Sequence, residues 1–360
     1  MGMLTSTQAT AQERTTSGQK VLQGSLRVGS EHDNNVLRTT TAQEQGWLSR
    51  YFASLDLTTY LPQRKDSIAL SLSQGGKIFT QQSEANTMLT QASLSWRRRL
   101  PTTWLFYSKL ALDLKDRTEN LSLQDYYRGG AMFGLGTQLW QGFILEAKAG
   151  ARFFAFKPNP AASSRGLAAS VLGHQQLPFQ LSLSTSYSWL QRRFDIPQQL
   201  RVYPEQTTTQ EDSPDDLVYI ETGPYVRQDL FHSLSTQLNW QGPVLVQASY
   251  TLSLNRSNSY GQDLKRHNLG LGLTAMLPLE ILCALRVELQ RTRYDDPILL
   301  DASFLIDEDN RNMATVSLAR TIKGDLEVEL RSSLYLQEFG GAEDYQRRTI
   351  MLALGYHISR

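Results

Sequence analysis

The sequence predicts an all-β chain: a closed, antiparallel, up-and-down transmembrane β-barrel of about 16 strands. Three observations predict it. Apolar and polar residues alternate with a period of two along most of the chain. Candidate connections are alternately short and long. The tryptophans gather near candidate strand ends.

Alternation comes first, because side chains in a strand point to opposite faces in turn. Phe143, Leu145, Ala147, Ala149, Ala151 and Phe153 form one row, against Ile144, Glu146, Lys148, Gly150 and Arg152. Phe179, Leu181, Leu183, Thr185, Tyr187 and Trp189 oppose Gln180 and Ser182, Ser184, Ser186 and Ser188. Leu269, Leu271, Leu273 and Ala275 oppose Asn268, Gly270, Gly272 and Thr274. Leu326, Val328 and Leu330 oppose Glu327, Glu329 and Arg331, and Ile350, Leu352 and Leu354 oppose Met351, Ala353 and Gly355. A helix would spread Glu327, Glu329 and Arg331 around its circumference and break any apolar stripe.

The predicted strands are 21–29, 47–59, 67–73, 87–97, 103–115, 126–139, 143–153 and 165–174, then 179–190, 217–240, 243–255, 265–276, 280–292, 312–320, 325–337 and 347–358. Most exceed the globular mode of about 5–6 residues and suit a tilted membrane strand. Tight turns follow the even-numbered strands, as at Leu61-Pro62, Leu100-Pro101, Gln141-Gly142, Leu177-Pro178, Gln241-Gly242, Leu277-Pro278 and Lys323-Gly324. Longer polar connections follow the odd ones, including 30–46, 116–125, 191–216, 256–264, 293–311 and 338–346. Such parity separates the periplasmic from the extracellular end of an outer-membrane barrel. The strand 217–240 is too long for a bilayer. An extra hairpin from Gln199–Pro204 and Leu217–Arg227 gives an alternative of about 18 strands.

Composition agrees. The 360 residues carry 36 Lys+Arg against 35 Asp+Glu, without the basic excess of a nucleic-acid protein. The single cysteine excludes an intramolecular disulfide and a cysteine metal cluster. No run reaches the roughly 18–20 apolar residues of a transmembrane helix. Ala9-Thr10-Ala11 has the small-residue pattern of a signal-peptide cleavage site. Residues 1–20 therefore read as a signal-peptide remnant and polar segment, and 21–360 as the barrel.

Trp47, Trp96, Trp104, Trp140, Trp189 and Trp240 lie at or near predicted strand ends, where indole marks the membrane interface. Thr137-Gln-Leu-Trp-Gln-Gly142 recurs, with one insertion, as Thr236-Gln-Leu-Asn-Trp-Gln-Gly242, at the same kind of turn.

The two ends carry a resemblance. Gly24-Ser-Leu-Arg-Val-Gly-Ser-Glu-His-Asp-Asn-Asn-Val-Leu-Arg38 looks like an opening strand and Asp/Asn-rich first loop. Asp344-Tyr-Gln-Arg-Arg-Thr-Ile-Met-Leu-Ala-Leu-Gly-Tyr-His-Ile358 looks like a closing strand, and 311–320 also fits. Together they resemble Gram-negative outer-membrane β-barrels of the exopolysaccharide-export and secretion type. The resemblance implies an outer-membrane location and a polar channel for hydrophilic material such as polysaccharide. It also implies outer-membrane lipid and periplasmic export or envelope-complex proteins as partners.

With the faces assigned by alternation, the candidate pore-lining residues are Lys109, Asp113, Lys115, Glu146, Lys148, Arg152, Arg286, Glu288, Glu327, Glu329 and Arg331. Both signs occur, so they either set up a transverse field or satisfy one another across strands. Arg97-Arg98-Arg99 lies at a tight turn. Glu211-Asp212, Asp215-Asp216 and Asp307-Glu308-Asp309 lie in outer loops with carboxylates for divalent cations, without a calcium-loop spacing. Gly129, Gly130, Gly134 and Gly136 read as close packing or curvature within a strand. Cys283 falls on an apolar row.

The five histidines, 32, 174, 232, 267 and 357, have no metal spacing, and there is no nucleophile elbow or phosphate loop. No enzyme, cofactor or metal is expected. Two alternatives stand beside the channel. One is a non-conducting anchor in an envelope complex. The other is a lipid hydrolase, which needs a serine and histidine adjacent on the outer face near one rim.

Overall fold

The computed structural model describes residues 20–35, 44–61, 66–81, 83, 86–100, 104–116, 125–157, 160, 163–202, 219–295, 312–337 and 345–359. At 107, 109–116, 219, 337 and 345 it describes the backbone only. Sixteen strands form one closed antiparallel ladder in chain order. They are β1 (Lys20–Asp33), β2 (Gly46–Tyr60), β3 (Asp66–Phe79), β4 (Thr87–Arg99), β5 (Trp104–Asp116), β6 (Tyr126–Trp140), β7 (Phe143–Phe156) and β8 (Ser164–Leu177). The second half is β9 (Leu181–Val202), β10 (Tyr219–Gln241), β11 (Val244–Ser257), β12 (Leu264–Leu277), β13 (Ile281–Tyr294), β14 (Met313–Lys323), β15 (Leu326–Gln337) and β16 (Tyr345–Ser359). β1 pairs with β16 over Gln23–Asp33, which seals the cylinder.

The ladder corrects the 18-strand alternative. Residues 199–202 continue β9, and the segment from Tyr219 continues β10, so one long hairpin replaces two short ones. It is not straight. Its register shifts twice, between Thr222 and Gln228, near Pro197 on β9 and Pro224 on β10. Proline removes a ladder donor, so bulges gather where it enters a strand. Above the bulges Gln199 turns its backbone to the β11–β12 connection. Its N–H donates to Ser259 Oγ (2.9 Å), and its carbonyl accepts from Tyr260 N (2.8 Å). The strand ends also move. β1 continues past 29 to Asp33 and β3 past 73 to Phe79, so the first connection begins at Asn34 rather than 30.

Adding the register offsets round the ladder gives a shear of about 20 residues. With a rise of about 3.3 Å and a strand spacing of about 4.8 Å, the strands tilt by about 40° and the backbone cylinder is about 32 Å across. Facing side chains cannot fill that width, and among the described strands extensive contact is confined to ladder neighbours.

The wall has two unlike faces. One carries exposed large hydrophobics on strand after strand, among them Leu26, Leu72, Leu94, Phe133, Leu269, Leu330 and Leu352. The other carries the buried polar groups, including Glu31, Asp229, Ser253, Glu329 and Thr349. Apolar groups are therefore outside and polar groups inside, the inverse of a soluble domain. The described buried apolar core is confined to small contacts such as Leu48 with Phe79.

Candidate functional site: the inner wall

Directly opposed residues of an antiparallel pair share a face, so the register assigns each side chain to one side of the wall. Glu146, Lys148 and Arg152 on β7, Arg286 and Glu288 on β13, and Glu327, Glu329 and Arg331 on β15 all lie on the inward face. Lys109, Asp113 and Lys115 occupy inward register positions on β5, opposite Met132, Arg128 and Tyr126. Their side chains lie outside the described part, as do the acidic runs at 211–216 and 307–309.

The charged residues are mostly paired. Lys148 Nζ lies 3.0 Å from Glu146 Oε1. Arg286 donates to Glu288. Arg331 donates to Glu329 Oε1 through Nε (2.9 Å) and Nη2 (2.6 Å).

The structure adds a larger network at the seam between first and last strands. Arg27 Nη1 reaches Glu329 Oε2 at 2.8 Å, and its Nη2 donates to Glu327 Oε1 at 3.0 Å. Arg27 is on β1 and both glutamates are on β15, so its side chain crosses β16. It crosses at Gly355, which is the direct partner of both Arg27 and Glu327. Higher on the same seam Glu31 accepts from Arg50 Nη2 of β2 (3.0 Å), with Arg50 Nε 2.7 Å from its other oxygen, and lies 4.0 Å from Lys77 of β3. Highest of all, Arg347 clamps Asp33, with Nε at 2.9 and 2.8 Å from the two carboxylate oxygens. Asp33 has no exposed side-chain surface and Arg347 only 6 %. Arg347 also lies over the Tyr335 ring at 5.3 Å.

A second cluster stands across the chain on β9–β11. Asp229, wholly buried, accepts from Arg227 Nε (3.0 Å) and Nη2 (2.7 Å), Arg192 Nη2 (3.4 Å) and Ser257 Oγ (2.7 Å). Arg227 stacks over Phe194 at 4.0 Å. Below this cluster the inner wall becomes neutral. Ser233 meets Ser253 at 3.2 Å, Ser235 meets Thr251 at 2.9 Å, and Ser184 meets His174 Nδ1 at 2.8 Å.

The glycines of β6 make room for charge. Gly130, Gly134 and Gly136 oppose Arg152, Lys148 and Glu146. A Cβ on Gly134 would stand 2.7 Å from Lys148 Cγ.

All six tryptophans face outward. Trp96, Trp104, Trp140 and Trp240 ring the short-turn end, while Trp47 and Trp189 lie toward the other. Alternation alone would send Trp140 inward. A bulge between Gln138 and Trp140 turns it out, where it stacks on Phe143 at 4.2 Å and donates to Gln175. In the related segment of β10 the additional Asn239 has the same effect for Trp240 without a bulge. Cys283 also faces outward, between Ile281 and Leu285. Of the arginine run, Arg98 points out, 3.8 Å from Asp66, while Arg97 and Arg99 stand at inward positions.

The outward histidines do not meet serines. Among the described residues His232 bonds Tyr187 (2.6 Å), His267 bonds Tyr250 (2.7 Å), and His32 packs on Trp47. The serine–histidine contact, Ser184–His174, is on the inward face, with no carboxylate on the histidine among the described residues.

With this geometry in view, the chain was compared with known proteins. No family model and no curated protein matches it. Solved structures match over nearly its whole length. A bacterial polysaccharide outer membrane secretin is 7 % identical with a TM-score of 0.46, covering 93 % of this chain and 98 % of that one. OccAB1 from Acinetobacter baumannii is 10 % identical with a TM-score of 0.48, covering 94 % and 96 %. The FrpB iron transporter from Neisseria meningitidis is 9 % identical with a TM-score of 0.48, covering 96 % and 82 %. The first of these is an outer-membrane protein by name and the third an iron transporter, and no cargo is inferred from them.

Proposed function

We propose that the chain is an integral outer-membrane barrel that forms a polar channel for hydrophilic material. The observation that supports this best is the inverted wall: exposed apolar rows outside, buried paired charges and hydroxyls inside, on one sealed cylinder. Within lipid a sheet satisfies every backbone group only when it is closed. The longer connections then face outward from the cell, and the short turns, ringed by tryptophans, face the periplasm. Lipid is one partner, and periplasmic export or envelope proteins are proposed as others.

The inner wall supports a polyhydroxylated cargo such as a polysaccharide strand. The serine-lined side offers hydroxyls that both donate and accept, and the paired charges opposite hold few free ions to trap a neutral chain. No reaction is assigned to it: the described residues give the outward histidines no serine, and the inward pair no acid. Planar-bilayer recording tests the channel. Stepwise conductance is expected from purified, folded protein. A folded barrel that never conducts removes the channel and leaves the second reading, a structural anchor. The extensive mutual pairing along the β1–β16 seam favours that second reading.

A further inference from the structure

The outward rows of β12 and β13 end in a concentration of positive charge. Lys265 stands directly opposite Arg293, and His267 directly opposite Arg291. Below them the same rows are apolar, with Leu269 opposite Leu289 and Leu271 opposite Val287. Like charges set opposite each other destabilise a sheet, and the closed ladder prevents a slip that would separate them. Lys265, Arg291 and Arg293 are exposed, and among the described residues no carboxylate pairs with them. Neighbouring Arg256 is different, held by Asp263 at 3.1 Å and Asp295 at 3.0 Å.

The wall is also indented here. Among the described residues the β13–β14 ladder ends at Glu288 and Met313, and beyond it Gln290 N donates to Asn312 Oδ1 (2.6 Å). An open pocket of about 290 Å³ lies there, lined by Tyr250, His267, Leu269, Leu289 and Arg291, with Asn312 at its edge. Tyr250 Oη lies 2.7 Å from His267 Nδ1. When the phenol donates, the imidazole proton sits on Nε2 and is available to an acceptor. The pocket thus has a cationic upper edge and a leucine floor. That matches a molecule with phosphate above and hydrocarbon below.

We propose that this indentation binds a phosphorylated, acylated lipid of the outer leaflet. Its phosphate meets Lys265, Arg291 and Arg293, and an acyl chain lies on Leu269 and Leu289. The inference rests on the membrane-spanning reading above, which places this end of the wall at outer-leaflet headgroups. Phosphate offsets the opposed cations, and anionic headgroups attract basic side chains at a membrane surface. Inorganic phosphate alone would leave the leucine floor unused.

The test uses the full chain, refolded into phosphatidylcholine nanodiscs doped with bisphosphorylated lipid A or its dephosphorylated form. Lipid carried through detergent extraction is counted by native mass spectrometry, and folding is checked by heat-modifiable gel mobility. Wild type should retain the phosphorylated lipid about tenfold better than the dephosphorylated one. The K265Q/R291Q/R293Q variant should fold and lose that preference, while R97Q/R98Q at the opposite rim should keep it. Millimolar inorganic phosphate should not displace the lipid. Equal retention of the two lipids, an unaffected triple variant, or displacement by free phosphate overturns the proposal. Failure of the wild type to fold into any bilayer overturns the spanning reading, and the lipid site with it.

Discussion

The inner wall has two unlike sides. From β13 through the β1–β16 closure to β2 it is studded with ion pairs: Arg286–Glu288, Arg331–Glu329, Arg27–Glu327, Glu31–Arg50 and Asp33–Arg347. From β8 to β11, below the Asp229 cluster, it is lined by serine and threonine hydroxyls. The difference follows from position in the chain. β8 and β9, and β10 and β11, are joined by tight turns that fix their pairing. β1 and β16 are joined by nothing, so their register depends on side chains. The pairs that cross the closure, Arg27 with Glu327 and Asp33 with Arg347, serve that purpose because a misplaced register leaves their charges unpaired at a cost of several kcal/mol.

The largest test of this contrast removes one charge from the closure. Asp33→Ala strands a buried Arg347 and should cost about 3 kcal/mol, whereas Ser235→Ala on the hydroxyl side should cost about 1 kcal/mol or less. Urea unfolding in lipid vesicles, followed by gel mobility, measures both. Equal losses would break the contrast. Arg347→Ala added to Asp33→Ala should recover part of the loss, since the stranded charge is gone.

A smaller effect is expected at Gly355, the gap through which Arg27 reaches Glu327. The nearest atoms to a Cβ there are Arg27 Nε and Glu327, all at 3.7 Å, so alanine fits. Gly355→Leu blocks the crossing and should cost about 2 kcal/mol by overpacking, with Gly355→Ala close to neutral. A leucine variant as stable as the alanine one shows that the crossing arginine does not matter.

Ion selectivity sharpens the contrast further, with a smaller free energy. Glu327→Lys should move cation-over-anion permeability by about threefold toward anions, because charge lining a pore sets its selectivity. Ser186→Ala should leave the reversal potential unchanged. A shift of equal size from both would remove the functional meaning of the two sides.

Much of this was legible in the chain, for a definite reason. Faces follow from a period of two, so the charged rows of β7, β13 and β15 and the serines of β9 could be assigned without knowing any partner. Partners could not. Arg27 and Glu327 are 300 residues apart and Asp33 and Arg347 are 314 apart, and alternation carries no information about such pairings. Glu31 and Asp33 were also hidden by their neighbours, since Glu-His-Asp-Asn-Asn has the composition of a loop although the strand persists to Asp33. Arg192 fell in a segment expected to be loop, and its partner Asp229 in an overlong strand. Trp140 required a bulge that one-residue counting cannot foresee. The comparison with Thr236–Gly242 held the clue, since the extra residue there marks the register that β6 must recover.

The smallest effect serves as a control on the two sides, because one turn occurs on both. Leu177-Pro-Phe-Gln180 joins the hydroxyl-lined β8 and β9, and Leu277-Pro-Leu-Glu280 leads from β12 to the charged β13. In each, two non-glycine residues hold left-handed backbone: Phe179 and Gln180 at φ 58° and 60°, Leu279 and Glu280 at 66° and 57°. Phe179 and Leu279 are 87 % and 70 % exposed, so neither is held there by packing. Asparagine tolerates this conformation better than either residue. Phe179→Asn and Leu279→Asn should each stabilise the barrel by about 0.5 kcal/mol, read by the same urea midpoint. The two gains should be equal, since turn strain is local and independent of what lines the wall above it. Unequal gains would mean that the sides differ in backbone tension as well as in charge, and the closure argument would then need a mechanical term beside the electrostatic one.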